Sequence, residues 1–417
     1  MLSAPSPLIV DCFFDLVDPR IARTRRHQLL DIVSIALCAV LAGAESWVEV
    51  EEWGEIKLPW LRTWLALPHG IPSHDTFGRV FSRIDPAQRE TGFMRWVQVL
   101  AAGTTTTGGI VAVDGKTVRA AREHGGAALH IVSAWASRSR LVLGQEAVAQ
   151  KSNEITAIPE LLGRLDLTRQ VVTIDAMGCQ TAIAHQIVAQ GGDYVLALKA
   201  NHPDLFGQVS DRFAMAEAAT LSRTRTVEKG HGRIEVRTCR TITDEATLTW
   251  LNPTEAWPKL SCIAEVVGER RIDGVITKHT RSYLSSLPGD AKAVAKAVRS
   301  HWGIEHQVHW VRDVAFREDM NRSRIGHSAE NLALIRKLAL NLLRTDPTRR
   351  IGGERQPVES RLGQRLPTPC PGGQIRCDSP TEVTVVPYCC KLSLLDMTAR
   401  RRASKEINST EVVLAVV

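Results

Sequence analysis

Gly109-Ile110-Val111-Ala112-Val113-Asp114-Gly115-Lys116-Thr117-Val118-Arg119 is the stretch around which the chain is organised. The run ending at Val113 has the composition of a strand buried on both faces, and a carboxylate, Asp114, follows it directly. The construction returns at Gln170-Val171-Val172-Thr173-Ile174-Asp175-Ala176-Met177-Gly178, where a second apolar strand delivers Asp175. An aspartate in such a place is costly to desolvate unless a cation meets it. Two of them predict carboxylates brought together at one edge of a sheet, where like charges need a divalent cation or a shared proton. Each taken alone could equally cap the turn after its strand.

A third carboxylate stands in Arg299-Ser300-His301-Trp302-Gly303-Ile304-Glu305-His306-Gln307-Val308-His309-Trp310-Val311-Arg312-Asp313. His301, Glu305, His309 and Asp313 recur every fourth residue, a stripe that drifts by about 40° per step on a helix. There is no HExxH arrangement to suggest a zinc hydrolase. A solvated, ion-paired helix face is one reading, but Trp302, Ile304 and Trp310 imply a packed helix. The reading preferred here joins Glu305 to Asp114 and Asp175 around two Mg²⁺ (or Mn²⁺) ions. Oxygen ligands suit these hard cations. Two such ions, ~3.5–4 Å apart, serve phosphodiester chemistry by activating the attacking oxygen and stabilising the leaving one.

Working outward, residues 1–101 read as an all-helical domain. Arg20, Arg23, Arg25 and Arg26 stand at the entrance of its first helix, and Ser73 is placed to cap a later one. Ala101 to Gly109 is a polar linker. Beyond it, strands at 110–114, 129–136, 140–149, 170–175 and 193–198 alternate with helices at 152–165 and 179–190, which predicts a mixed sheet covered by helices. A β-rich segment follows at about 200–290, then helices at 291–314 and 329–343. The tail, 350–417, has no sustained periodicity and is expected to be disordered or frameshifted.

The 417 residues allow two or three domains, and 44% hydrophobic with 23% charged residues describe an ordinary globular protein. A formal net charge of +7 fits a polyanionic partner without demanding one. The nine cysteines form no CxxC pair. No apolar run is long enough to span a membrane and no leader is evident, so a cytoplasmic location is expected.

The motifs Val113-Asp114-Gly115-Lys116-Thr117, Leu129-His130-Ile131-Val132-Ser133-Ala134-Trp135 and Lys151-Ser152-Asn153-Glu154-Ile155-Thr156-Ala157-Ile158-Pro159 occur in that order. They are followed by Thr173-Ile174-Asp175-Ala176-Met177-Gly178-Cys179-Gln180, Tyr194-Val195-Leu196-Ala197-Leu198-Lys199, His231-Gly232-Arg233-Ile234-Glu235 and the block from His301 to Asp319. In this combination the chain resembles, over about residues 8–350, the DDE transposases of the IS4-like superfamily, most closely the ISAs1 type. The resemblance implies an α/β, RNase H-like catalytic core at about 108–345, interrupted by the β-rich insertion, with the helical domain for DNA binding or assembly. It implies cleavage of DNA at the terminal inverted repeats of an insertion element and strand transfer into target DNA. It also implies a homo-oligomer on paired ends, associated with the nucleoid.

Asp114, Asp175 and Glu305 match the acidic triad. The superfamily places a Tyr and an Arg ahead of its Glu and a Lys seven residues after it; here Val298, His301 and Arg312 hold those places. His301 and Arg299 are expected to supply what the family Arg would. Lys116, Arg119, Lys199 and Arg312, beside the carboxylates, are the other expected phosphate contacts, and Arg23, Arg25 and Arg26 could hold the DNA backbone. Two rival readings share these residues: a metal nuclease without strand transfer, and an inactive remnant that only binds DNA ends.

Overall fold

The computed structural model describes residues 12–102, 108–122, 128–148, 154–217, 220–230 and 232–345. The tail at 350–417, most of the linker, Lys151 to Asn153 and His231 lie outside the described residues.

Four helices come first: α1 (Leu29–Leu41), α2 (Trp47–Leu61), α3 (His74–Arg83) and α4 (Pro86–Ala102). Serine hydroxyls cap two of them. Ser46 accepts from the Glu49 N–H at 3.3 Å, and Ser73 accepts from the Thr76 N–H at 3.4 Å. Then the chain builds β1 (Ile110–Arg122), β2 (Ala128–Ala136), β3 (Leu141–Val148), α5 (Glu154–Gly163), β4 (Val171–Ile174), α6 (Thr181–Ala189) and β5 (Asp193–Leu198). The stretch expected to be β-rich contributes α7 (Pro203–Met215), β6 (Ser222–Gly230), β7 (Arg233–Ile242), α8 (Glu245–Leu251), β8 (Cys262–Ile272) and β9 (Val275–Ser285). A long helix follows as α9 (Ala291–Ile304), a π-helical turn (Glu305–His309) and α10 (Trp310–Val314), and α11 (Ser328–Thr345) closes the described chain.

All nine strands form one sheet in the order β3-β2-β1-β4-β5-β9-β8-β7-β6. β1, β2 and β3 are an antiparallel meander, and β4 and β5 run parallel to β1. That half is the expected RNase H-like arrangement. The β-rich segment is not a body apart: β9 pairs antiparallel with β5, so its strands prolong the same sheet.

The first correction to the sequence reading concerns β1, expected at 110–114, which does not end at Asp114. It pairs with β2 through Thr117, opposite His130, and continues to Arg122. Asp114 therefore stands inside the strand, because the cross-strand hydrogen bonds continue past it.

Alternation along the strands assigns the two faces. Val111, Val113, Val132, Val172, Ile174 and Leu196 turn to one side and pack with Ile158, Leu161 and Leu162 of α5 and Ile183 and Ile187 of α6. The other side takes α9, whose Ala291, Val294, Ala297 and Val298 cover Ile110, Val195, Cys262 and Tyr283. Gly303 lets this helix approach the sheet, since an added Cβ would come within 2.5 Å of the Trp135 ring. Burial at that seam removes apolar area from water and presses the helix against β1 and β4.

The N-terminal helices share this second face rather than standing alone. α11 packs on α1, α3 and α4 as well as on β2 and β3. Asn331 donates to the carbonyls of Phe81 and Ile84 at 2.7 and 3.0 Å, and the Asn341 amide exchanges two 2.9 Å bonds with the Val142 backbone. The Asn341 amide is satisfied on both sides and Asn331 donates twice, which fixes the helix in register between the two layers. Among the described residues no helix is long and apolar enough to cross a membrane.

Candidate active site

In the β1–β4 pair, Val113 lies opposite Ile174. The next residue on each strand is an aspartate, so Asp114 and Asp175 emerge side by side at the end of the pairing. Neighbouring strands lie ~4.8 Å apart, and equivalent side chains of parallel strands share a face. That face is the one covered by α9. Asp175 also does what a turn-capping aspartate does, its Oδ1 accepting from the Met177 and Gly178 N–H groups at 3.1 and 3.4 Å. The two readings of this residue are compatible.

The long helix is hydrogen-bonded to the sheet at one point near the pair and approaches it at a second. His301 Nδ1 meets Thr173 Oγ1 at 3.1 Å, two residues before Asp175. His309 Nδ1 lies 3.6 Å from Asp114 Oδ2. Glu305 sits between them on the π-helical turn, which the Trp310 N–H closes onto the Glu305 carbonyl. Such turns are inserted into α-helices mostly at functional sites. This one breaks the four-residue stripe inferred from the sequence and sets Glu305 between two histidines that touch the sheet.

The electrostatics of Asp114 record the convergence. Burial pushes its pKa up to about 7, assisted by the negative charges of Asp175 and Glu305 and, more weakly, Glu154; the Gly115 N–H opposes them. Among the described residues, no three His, Cys, Asp or Glu groups are already close enough to hold one ion. The triad is thus near enough for mutual repulsion yet not drawn into a cage. Glu305 is exposed, so its carboxylate can swing without displacing packed neighbours. An all-oxygen, like-charged set of this kind fits a hard divalent cation, which would relieve the repulsion.

Two expected phosphate contacts are corrected by the structure. Lys116 is buried, its Nζ paired with Asp313 and lying 3.1 Å from Glu318 Oε2 and 3.6 Å from Asp319 Oδ1. Arg312 is wholly buried, and its Nε and Nη2 donate to Glu318 Oε1 at 3.1 and 2.5 Å. Burial alone would raise the Glu318 pKa, but Arg312, Lys116 and Arg336 outweigh it and hold the carboxyl at about 2. These cations are consumed internally because a buried Glu318 would otherwise go unpaired.

His301 differs from expectation as well. Burial lowers its pKa despite the opposing charge of Asp175, so it is neutral at pH 7 and no substitute for an arginine. Arg119, Lys199 and Arg299 are exposed, Arg299 donating to Glu228 at 3.1 Å and Arg119 lying 3.7 Å from Asp319. At the chain entrance, Arg25 donates to the Arg20 carbonyl at 2.9 Å, while Arg23 and Arg26 are exposed. Cys179 is buried and its thiol pushed up to about 12, which disqualifies it as a nucleophile.

The sequence reading missed His309 as a neighbour of Asp114. Burial, then Arg312, Lys337 and Lys116, hold its pKa well below the ordinary value, and its buried Nε2 has no partner.

Residues 105–342 match the family described as "Transposase DDE domain", and residues 10–97 match one described as "DDE_Tnp_1-associated". The chain belongs to the DDE transposase family. A relative named "Putative transposase YncI", from Escherichia coli O157:H7, is 41% identical over 329 residues, covering 76% of this chain and 83% of its own. "Uncharacterized protein in dhlA 3'region", from Xanthobacter autotrophicus, is 44% identical over 296 residues, 70% of this chain and 97% of its own. Among solved structures, a piggyBac transposase synaptic complex with hairpin DNA aligns with a TM-score of 0.37 at 10% identity, over 80% of this chain and 70% of that one.

In this DDE transposase the raised Asp114 pKa has a definite consequence for stability. The folded state keeps a proton that the unfolded chain releases, so Asp114's stabilising contribution is full at acid pH and is lost as pH rises towards about 7. Asp114→Asn should remove from the stability–pH curve a slope of up to ~1.4 kcal/mol per pH unit between roughly pH 4 and 7. Denaturant unfolding across that range checks this, and parallel curves for the two proteins would contradict it.

Proposed function

We propose that the chain is the transposase of an ISAs1-type insertion sequence in the IS4-like superfamily, cleaving DNA at the element's terminal inverted repeats and joining the ends to target DNA. One observation carries the reading: Asp114 and Asp175 leave adjacent parallel strands side by side, and both Asp175 and Glu305 bear electrostatically on Asp114. Asp114, Asp175 and Glu305 would hold two Mg²⁺ or Mn²⁺ ions, which supply activation of the attacking oxygen and stabilisation of the leaving one. The protein's own residues align this set. Thr173 and His301 seat the helix over β4, His309 lies beside Asp114 on β1, and the Lys116–Arg312–Glu318 cluster braces the helix end.

The charge distribution supports a DNA partner. Strands β6 to β9 contain ten Lys and Arg against four Asp and Glu, a net +6 out of the +7 of the whole chain. The positive charge is thus concentrated on the part of the sheet that prolongs it beyond the carboxylates. At its inner end Arg281 stacks over Trp302, the residue after His301, with the guanidinium 4.2 Å from the ring centroid. This track, together with exposed Arg119, Lys199 and Arg299, is suited to phosphates, which contribute affinity but no sequence readout. Assembly as a homo-oligomer on paired ends belongs to the same reading.

Incubation with Mg²⁺ and DNA carrying the sequences that flank the gene should yield end cleavage and strand-transfer product. Asp114→Asn, Asp175→Asn and Glu305→Gln should each abolish both while DNA binding persists. Cleavage without transfer under all conditions would favour a nuclease, and unaltered cleavage by the variants would refute the triad. In the binding measurement, replacing exposed Arg225 and Lys229 of β6 by Ala should reduce the slope of log K against log salt by about 2. An unchanged slope would remove β6 from the interface.

A further inference from the structure

On the face of the sheet opposite Asp114, a buried polar chain crosses strand β1. Thr117 Oγ1 meets His130 Nδ1 at 2.8 Å, across the β1–β2 pairing. The other ring nitrogen, Nε2, lies 2.5 Å from Glu154 Oε1, with the ring out of line for a straight hydrogen bond. His130 and Glu154 are 1% and 4% exposed. Between them they occupy the space where residue 115 would carry a side chain. A Cβ on Gly115 would fall 2.5 Å from Glu154 Oε1 and nearer still to His130 Nε2.

This arrangement is expensive for a structural seam. An ionisable pair buried in a sheet–helix interface is usually no more stabilising than an apolar pair of the same volume. A glycine inside a strand also costs backbone entropy and gives up packing. The pair links the start of α5 to β2 across the place where β1 passes: Glu154 is the first residue of α5, His130 lies on β2, and Gly115 follows Asp114 directly. Glu154 lies close enough for its charge to be felt at Asp114 through the strand.

We propose that His130 and Glu154 are positioning residues: held across Gly115 behind the sheet, they fix the segment of β1 that aims the Asp114 carboxylate. The proposal rests on the reading of Asp114 as a catalytic ligand. It assigns a role to the His of Leu129-His130-Ile131 and the Glu of Asn153-Glu154-Ile155, which the triad leaves unexplained. It also explains the glycine of Asp114-Gly115-Lys116 by the close approach of the pair.

The test uses the full chain and two readouts: Mn²⁺ binding followed by calorimetry without DNA, and Mn²⁺-dependent nicking of a supercoiled plasmid carrying the gene's flanking DNA. Glu154→Ala, His130→Ala and Gly115→Ala should each weaken Mn²⁺ binding and slow nicking per folded molecule by ~10–100-fold, the range typical of residues that orient metal ligands. Glu154→Gln keeps the volume and an acceptor for the imidazole N–H, so it should fold as the parent does and recover most of the loss. A merely structural pair would lower the melting temperature and leave Mn²⁺ affinity unchanged, and that result would overturn the proposal. So would Glu154→Gln proving as impaired as Glu154→Ala. Asp114→Asn is run alongside: if it nicks like the parent, the catalytic reading of Asp114 fails, whereas a dead Asp114→Asn beside a fully active Glu154→Ala rejects the positioning role alone.

Discussion

The parallel pairing of β1 with β4 is the constraint on which the rest depends. It places two aspartates on neighbouring strands, at the same level and on the same face, where their charges cannot avoid each other. Water would screen that repulsion, but α9 and its continuation cover the face and withdraw much of the water. The Asp114 carboxyl, raised to about 7, registers the result. A fold that keeps such a pair in a covered position stores an electrostatic cost, which a divalent cation would offset.

Much of the remaining polar interior serves to hold the covering helix over that pair. Lys116 and Arg312, which stand beside the carboxylates in the sequence, spend their charge on Glu318. Their distance from solvent separates two jobs that proximity along the chain had merged. Buried cations brace the helix end, and exposed cations lie farther out, on β6 to β9 and around Arg299. The β-rich segment is therefore better regarded as an outward continuation of the catalytic sheet than as an inserted module, because β9 bonds directly to β5.

The sequence made the scaffold legible where apolar periodicity was strong. The strands bearing Asp114 and Asp175 and the helix capped by Ser73 follow from local pattern. It did not disclose that β1 continues beyond Asp114, since Gly115 and Lys116 resemble a turn until the His130–Glu154 pair that needs the glycine is in place. Nor could an α-helical periodicity reveal the π-helical turn, in which one wider turn re-aims Glu305 and brings His309 to Asp114. Within the segment expected to be β-rich, β6 has no apolar alternation to read, Val227 being its one apolar side chain, and it is almost wholly exposed. The misassigned cations have a common cause: burial of Lys116 and Arg312 is decided by Glu318, a residue distant from Lys116 in sequence.

The central claim is that residues 114, 175 and 305 surround a single divalent-cation centre. Replacing Mg²⁺ by Fe²⁺ and adding ascorbate and peroxide generates radicals that cut the polypeptide next to the bound iron, and mass spectrometry locates the cuts. The account predicts saturable cleavage near all three positions, competed by Mg²⁺ and lost together in Asp114→Asn. Cuts confined to 114 and 175, with the segment around 305 untouched at saturating iron, would contradict it.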